Sequence, residues 1–301
     1  ASLIPYNAFM NRVERIGHGR ALCAHLSRGQ RWDLVFTIAE GLRGRSREAQ
    51  VPCLLEMFEI PYTFSDPLVS AITLDKAVTK RLVSSGGLPT PRFALIEDPR
   101  QLRGVALRYP LFAKPVAEGT GKGVDSRSRV TSARQLAAVC RKLLTTFRQP
   151  VLVEEYLPGR EFTTGILGTG ADARALGTLE VRARPGAPAI DYSYEMKERC
   201  EEFVDYLPVR PGRLLRDVES LALRSHRLLE CRDASRVDMR LDADGRPSFL
   251  EVNPLPGLHP SHSDLPMIAT HEGMPYVKLI GAIVDSARKR IRPARKVRRG
   301  R

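Results

Sequence analysis

Arg236-Val-Asp-Met-Arg-Leu-Asp-Ala-Asp-Gly-Arg-Pro-Ser-Phe-Leu-Glu-Val-Asn253 is the stretch from which the rest of this chain is read. Asp-Gly between two alternating segments is a strong hairpin signal. With Asp244-Gly245 as a two-residue turn, Asp238 falls opposite Glu251, and Arg236 falls opposite Asn253. Side chains alternate along a strand, so Asp238, Glu251 and Asn253 share one face. Val237, Met239, Leu241, Leu250 and Val252 fill the other. Like charges directly opposed in a sheet cost up to about 1 kcal/mol. Hard oxygen donors on one face are also what Mg²⁺ takes from a protein, with water and phosphate completing its shell. The charge conflict points to a bound cation. The alternative is a pair of solvated acids on an exposed strand face.

The surrounding composition sets limits. A chain of 301 residues, 43% hydrophobic and 27% charged, reads as soluble and globular with two or three compact units. No apolar run approaches the roughly 18 residues of a membrane span. The opening Ala1-Ser2-Leu3-Ile4-Pro5 lacks a basic region followed by an apolar core, so no signal peptide is expected. Five cysteines, odd in number, widely spaced and never CxxC, suit reduced thiols in the cytoplasm. His259-Pro-Ser-His262 has no zinc-type spacing, which leaves it a structural or substrate-side role. The net charge of +14 suggests nucleic acid until it is located. Nine Lys/Arg and no acid lie in residues 288–301, leaving +5 for the body. That tail is expected to be disordered and to touch RNA or acidic lipid only nonspecifically, with no specific nucleic-acid partner.

Along the chain, residues 34–38 form a short apolar strand, and Val51, Leu54, Leu55 and Phe58 repeat at helical period with Pro52 in the first turn. A second helix spans about 75–85 and stops at Gly86-Gly87. Pro89 and Pro91 mark an extended linker. Residues 111–115 form a strand ending in lysine, followed by the glycine-rich Glu118-Gly-Thr-Gly-Lys-Gly123. A helix over 132–146 leads to strands at 151–155 and 161–167. Residues 184–200, rich in Pro, Tyr and charge, read as a mobile loop. A helix at 214–229, the hairpin, and helices near 265–271 and 276–288 complete the chain. Without a repeated βαβ unit, a mixed α+β arrangement is favoured.

Several of these residues carry chemistry. Lys114 ends an apolar strand, where an ammonium either meets a phosphate or reaches solvent. The loop Gly119–Gly123 can bring backbone N–H groups to phosphate oxygens, although it is not a P-loop, since no Ser or Thr follows Lys122. Glu154-Glu155 ends a strand at a turn.

The order of these features resembles the ATP-grasp superfamily, and within it the D-alanine–D-alanine ligases. The likeness rests on LDKAVTKRLVSSGGLPTP (74–91), FAKPVAEGTGKGV (112–124), VEEYLPGREFT (153–163), RVDMRL (236–241) and FLEVNPLPG (249–257), and spans roughly residues 33–285. The resemblance implies an ATP-grasp fold in three units: 1–88, lacking the usual first strand; 89–168; and 169–287, before the tail at 288–301. It implies ATP and two Mg²⁺ (or Mn²⁺), small-molecule substrates, a cytoplasmic homodimer and a part in peptidoglycan synthesis. Residue by residue, it implies that Lys80 and Lys114 contact ATP phosphates beneath a flap of Glu118, Gly119, Thr120, Gly121, Lys122 and Gly123. Glu154 would recognise the adenine amino group, with the backbone near Tyr156 and Leu157 as hinge and Glu161 on the ribose. Asp238, Glu251 and Asn253 match the metal ligands. Arg236 and the N–H of Gly257 match the pair that stabilises the oxyanion, and Lys197 matches the lysine of a closing loop. The implied reaction phosphorylates a carboxylate with ATP and lets an amine attack the acylphosphate.

Departures bear on the substrates. The family's Gly-Gly-x-Ser-x-Glu turn, whose Glu binds the first D-alanine's ammonium, has no counterpart, so a truncated start or a diverged first subsite is expected, with poor turnover of D-alanine. Glu40 and Asp264 are the acids that could replace it. The flap's Ser-Ser pair is Thr120-Gly121, and the tyrosine after the closing lysine is Glu198. Ser263 remains placed to meet a substrate carboxylate. The rival readings are a ligase for other amino acids or amines, and a degenerate nucleotide-binding module.

Overall fold

The computed structural model describes residues 12–119, 121–184 and 203–291. Its first unit contains helices α1 (Gly19–Ser27), α2 (Gln50–Met57), α3 (Pro67–Leu74) and α4 (Lys76–Ser85). The strand expected at 34–38 is reduced to one parallel bridge, Val35 to Tyr62. Thr37 N–H donates to the hydroxyl of Thr63 rather than to a backbone carbonyl, which ends the ladder after one step. Pro52 sits in the first turn of α2, as its missing N–H requires. Asp75 starts α4 by accepting the N–H groups of Ala77 and Val78.

The second unit is a sheet of β1 (Phe93–Ile96), β2 (Leu111–Pro115), β3 (Arg129–Val130) and β4 (Val151–Glu155), with α5 (Ala133–Phe147) between β3 and β4 in the chain. The strand order is β1-β4-β2-β3, all antiparallel. Leu136, Cys140 and Leu143 of α5 lie four and three residues apart and pack on Leu111, Ala113, Val151 and Val153. Alternation then turns Phe112, Lys114, Leu152 and Glu154 to the opposite face. This places a lysine and a glutamate of neighbouring strands side by side.

The third unit contains β5 (Glu161–Leu167), β6 (Arg174–Ala183), β7 (Val204–Pro208), α6 (Arg213–Leu228), β8 (Ala234–Leu241), β9 (Pro247–Asn253), α7 (Asp264–His271) and α8 (Tyr276–Lys289). Its strands run antiparallel in the order β7-β6-β5-β8-β9. Phe162, Val237, Met239, Phe249 and Val252 meet α6 on one face. The other face carries Glu161, Thr163, Arg236 and Asp238, with α7 packed alongside. Because β5 belongs to this sheet, the change of sheet falls in the 156–160 turn, earlier than the 168 boundary expected from sequence.

The hairpin turn is one residue longer than expected. Asp242 N–H donates to the Arg246 carbonyl at 2.9 Å, so Ala243, Asp244 and Gly245 form a three-residue loop, with Gly245 at φ +75°. A shift between Asp238 and Met239 compensates: Met239 pairs with Phe249, while Asp238 still pairs with Glu251 and Arg236 with Asn253. The cost of the correction falls on Leu250. It turns to the cleft, and Phe249 takes the core position assigned to it.

The tail also differs from expectation. Helix α8 continues to Lys289, whose ammonium meets Asp172 at 2.8 Å. Arg290 Nη1 pairs with the fully buried Asp233, and its Nη2 donates to the Tyr62 carbonyl at 3.0 Å. The start of the supposed disordered tail is therefore helical, and Arg290 packs against the body. Residues 292–301 and the loop anticipated at 184–200, apart from Arg184, lie outside the described residues. No helix among the described residues is long and apolar enough to cross a membrane.

Candidate active site

The two sheets face each other across an open cleft lined by Lys114 and Glu154 on one side and Asp238 and Glu251 on the other. Its floor is a buried ion triad. Glu154 is 3% exposed; its Oε1 lies 2.7 Å from Lys114 Nζ and its Oε2 lies 2.9 Å from Lys80 Nζ. Burial pushes the Glu154 carboxyl up, but Lys114 and Lys80 outweigh it and bring it down to about 2. Burial takes Lys80 down to about 8 against the pull of Glu154. Lys114 is penalised by burial too, yet Glu154 and then Glu251 leave it raised.

Lys114 and Glu154 thus lie in the cleft as expected. Lys80 sits beneath it, fully buried, donating to Thr90 Oγ1 at 2.9 Å and to the Phe249 carbonyl at 3.3 Å. The lysine of α4 that lines the cleft is Lys76, which the sequence reading did not single out. It donates to the Glu118 carbonyl at 2.7 Å and lies 3.4 Å from Glu251. The signal was available: Lys76 and Lys80 are one helical turn apart and share a face.

The flap begins at Glu118, whose Oε1 accepts from Gln149 Nε2 at 2.7 Å. Two successive turns follow, Lys122 N–H to Gly119 O and Val124 N–H to Gly121 O. Gly123 has φ +82°, and a Cβ there would lie 2.6 Å from the Pro115 ring, so both backbone and space demand glycine. Thr120 and Lys197 lie outside the described residues.

At the hinge, Tyr156 N–H donates to the Pro110 carbonyl, whereas the N–H of the cleft-lining Leu157 donates to no group among the described residues. The Tyr156 ring lies near two guanidinium groups, Arg129 at 4.2 Å and Arg240 at 4.8 Å from its centroid. Arg240 also donates to the Tyr156 hydroxyl at 2.8 Å and the Gly159 carbonyl at 3.0 Å, and lies 3.6 Å from Glu161. It ties the hinge to the third unit, and only the fold brings it there.

On the opposite wall Asp238 and Glu251 are paired across the hairpin and both line the cleft, with Asn253 on the same strand. Asp238 accepts from Arg236 Nε at 3.0 Å, Arg236 Nη2 at 2.7 Å and Thr163 Oγ1 at 2.9 Å. Arg236 Nη1 reaches Asp264 at 2.7 Å. Burial works against the guanidinium's charge, but Asp238 and Asp264 hold its pKa well above the usual arginine value. Asp264, proposed from sequence as a substrate-side acid, is 8% exposed and engaged by Arg236, so it is not a free receptor for an ammonium. Ser263 Oγ lies 2.6 Å from where a Cβ of Gly257 would be, so the two residues adjoin. Two carboxylates, an amide oxygen and nearby lysines fit a hard cation carrying phosphate.

Two antiparallel sheets closed on a lysine–glutamate floor, a glycine flap and an acidic hairpin define an ATP-grasp ligase. The family profile described as D-ala D-ala ligase C-terminus matches residues 82–285. Over 268 residues the chain is 37% identical to the D-alanine–D-alanine ligase of Bordetella petrii, a match covering 88% of this chain and 79% of that one. Among solved structures it is similar to D-alanine–D-alanine ligase from Bacillus anthracis complexed with ATP (TM-score 0.68, 26% identity, covering 89% of this chain and 83% of that one). It is similar too to the VanG D-Ala:D-Ser ligase from Enterococcus faecalis (TM-score 0.69, 25% identity, covering 85% and 73%). The chain belongs to the D-alanine–D-alanine ligase family.

Proposed function

We propose that this chain uses ATP and Mg²⁺ to join a carboxylate to an amine, with D-amino acids as the first substrates to test. The observation that carries the reading is the Asp238–Glu251 pair placed across one cleft from Lys114 and Glu154. Glu154 and the Leu157 N–H present an acceptor and a donor suited to an adenine edge, and Glu161 is placed for ribose hydroxyls. Lys114, Lys76 and the flap backbone meet the phosphates. Asp238, Glu251 and Asn253 would hold Mg²⁺, which when bound neutralises triphosphate charge. Arg236 stays charged at any working pH and, with the Gly257 N–H, stabilises the oxyanion formed as the amine adds. Ser263 receives a substrate carboxylate. Lys197 closing over the nucleotide, a homodimer, a cytoplasmic location and nonspecific tail contacts with RNA or acidic lipid belong to the same reading. The test is release of ADP and phosphate with a panel of D- and L-amino acids and simple amines. ADP release that depends on both a carboxylate and an amine supports the proposal; nucleotide binding without turnover favours the degenerate module.

A further inference from the structure

The Arg236 side chain is 14% exposed and held by protein carboxylates. Nε and Nη2 are held by Asp238 and Nη1 by Asp264, so three of the five N–H groups of an arginine are engaged and two remain for a ligand. Asp264 is the first residue of α7, directly after Ser263. Ser263 Oγ accepts the His259 N–H at 3.0 Å and packs against Gly257. The helix start that grips Arg236 therefore also fixes the loop carrying Gly257.

Asp238 has two competing duties. It pairs with Arg236, and it faces Glu251 in the cleft, where a cation would draw on the same oxygens. A carboxylate shared with a divalent ion holds an arginine less firmly. Asp264 does not line the nucleotide cleft and meets no such competition. Resting on the ligase reading, we propose that Asp264 is a positioning residue that keeps Arg236 aimed at the reacting carbonyl when Asp238 turns to the cation.

The test compares wild type with D264N, which keeps size and one acceptor oxygen, and D264L, which keeps neither. Three quantities are measured: KM for ATP, ADP released per amide formed, and Kd for the phosphinate analogue of D-alanyl-D-alanine with Mg²⁺ and ADP present. The tetrahedral phosphinate carries the oxyanion, whereas the planar dipeptide product does not. In D264N, phosphinate affinity should fall about 10-fold and in D264L about 100-fold, in line with loss of an oxyanion donor. KM for ATP and affinity for the planar dipeptide should stay within about twofold, and ADP per amide should rise as activated carboxylate is lost to water. A merely structural role would lower phosphinate and dipeptide affinity equally, and that result overturns the proposal, as does unchanged phosphinate affinity in D264N. If D264L fails to fold by circular dichroism, D264N decides alone. Wild type that neither forms amide nor binds phosphinate overturns the ligase reading and this proposal with it. Wild type that does both, with D264N indistinguishable from it, overturns this proposal only.

Discussion

Replacing Glu154 with glutamine removes the anion from a box that holds two cations. Lys80 is fully buried and Lys114 half-buried in the cleft wall, each within 3 Å of the carboxylate that would be lost. Leaving a buried charge without its partner costs about 3–5 kcal/mol. Part of this is recovered because Lys80, already down to about 8, falls further and sheds its proton near neutrality. The net loss expected at pH 6 is about 3 kcal/mol, narrowing by at least about 1 kcal/mol at pH 8 as the variant's Lys80 becomes neutral. The acid side has the opposite sign. Glu154 is depressed from 4.5 to about 2, so its contribution is complete above pH 4.5 and vanishes as pH falls through 2. Wild type should therefore lose about 3 kcal/mol over that window that E154Q does not. Urea unfolding followed by circular dichroism at pH 2, 6 and 8 measures each term. KM for ATP should rise more than kcat falls, since adenine is bound alike in ground and transition states. A loss below about 1 kcal/mol at pH 6, or an equal gap at pH 6 and pH 8, refutes the reasoning.

Other outcomes follow from the same contacts. Asp238→Ala and Glu251→Ala should both abolish turnover, but only the first should destabilise the fold, by about 2 kcal/mol in urea, because Asp238 also holds the half-buried Arg236 and the buried Thr163. His226 is fully buried against Ser235 at 2.7 Å, and burial brings it down to about 4. An unfolded histidine binds a proton near 6.5, so stability should fall by about 3 kcal/mol from pH 6.5 to 4, and His226→Gln should flatten that slope in thermal melts across the range. Arg290→Ala should cost about 2 kcal/mol, seen as a lowered urea midpoint, because it strips Asp233 of its cation while Phe64 N–H and Thr169 remain bonded to it.

The elements legible in the sequence were those with a period and a cap. Helix α5 shows both, with Ser132 capping and an apolar stripe; β2, β4 and β5 are bounded by Pro and Gly turns. Helix α3 was missed because its run of Leu, Val, Ala, Ile and Leu has no polar face to reveal a period. Strand β1 is four apolar residues, too short to separate strand from helix, and Gly177 interrupts the pattern of β6. In the hairpin, Asp-Ala-Asp-Gly serves a two- or three-residue loop equally well, so only the structure reveals the compensating bulge. The candidate site divides along the same line. Asp238 and Glu251 are readable from strand alternation and Lys114 as a charge ending an apolar strand, whereas Glu154 follows only from the family resemblance. The burial of Lys80, the approach of Arg240 to Tyr156, and the grip of Asp264 on Arg236 join residues far apart in the chain, and no local pattern encodes them.

On the proposed function, this cleft spends ATP to make an amide. The most direct test follows ADP release and amide formation together, by coupled assay and mass spectrometry, as wild type is offered ATP, Mg²⁺ and paired amino acids including D-alanine. ADP release should require both partners and Mg²⁺, give close to one amide per ADP, and be lost in Lys114→Ala. ATP bound tightly but never cleaved with any carboxylate and amine, or cleaved equally well by Lys114→Ala, would contradict that function.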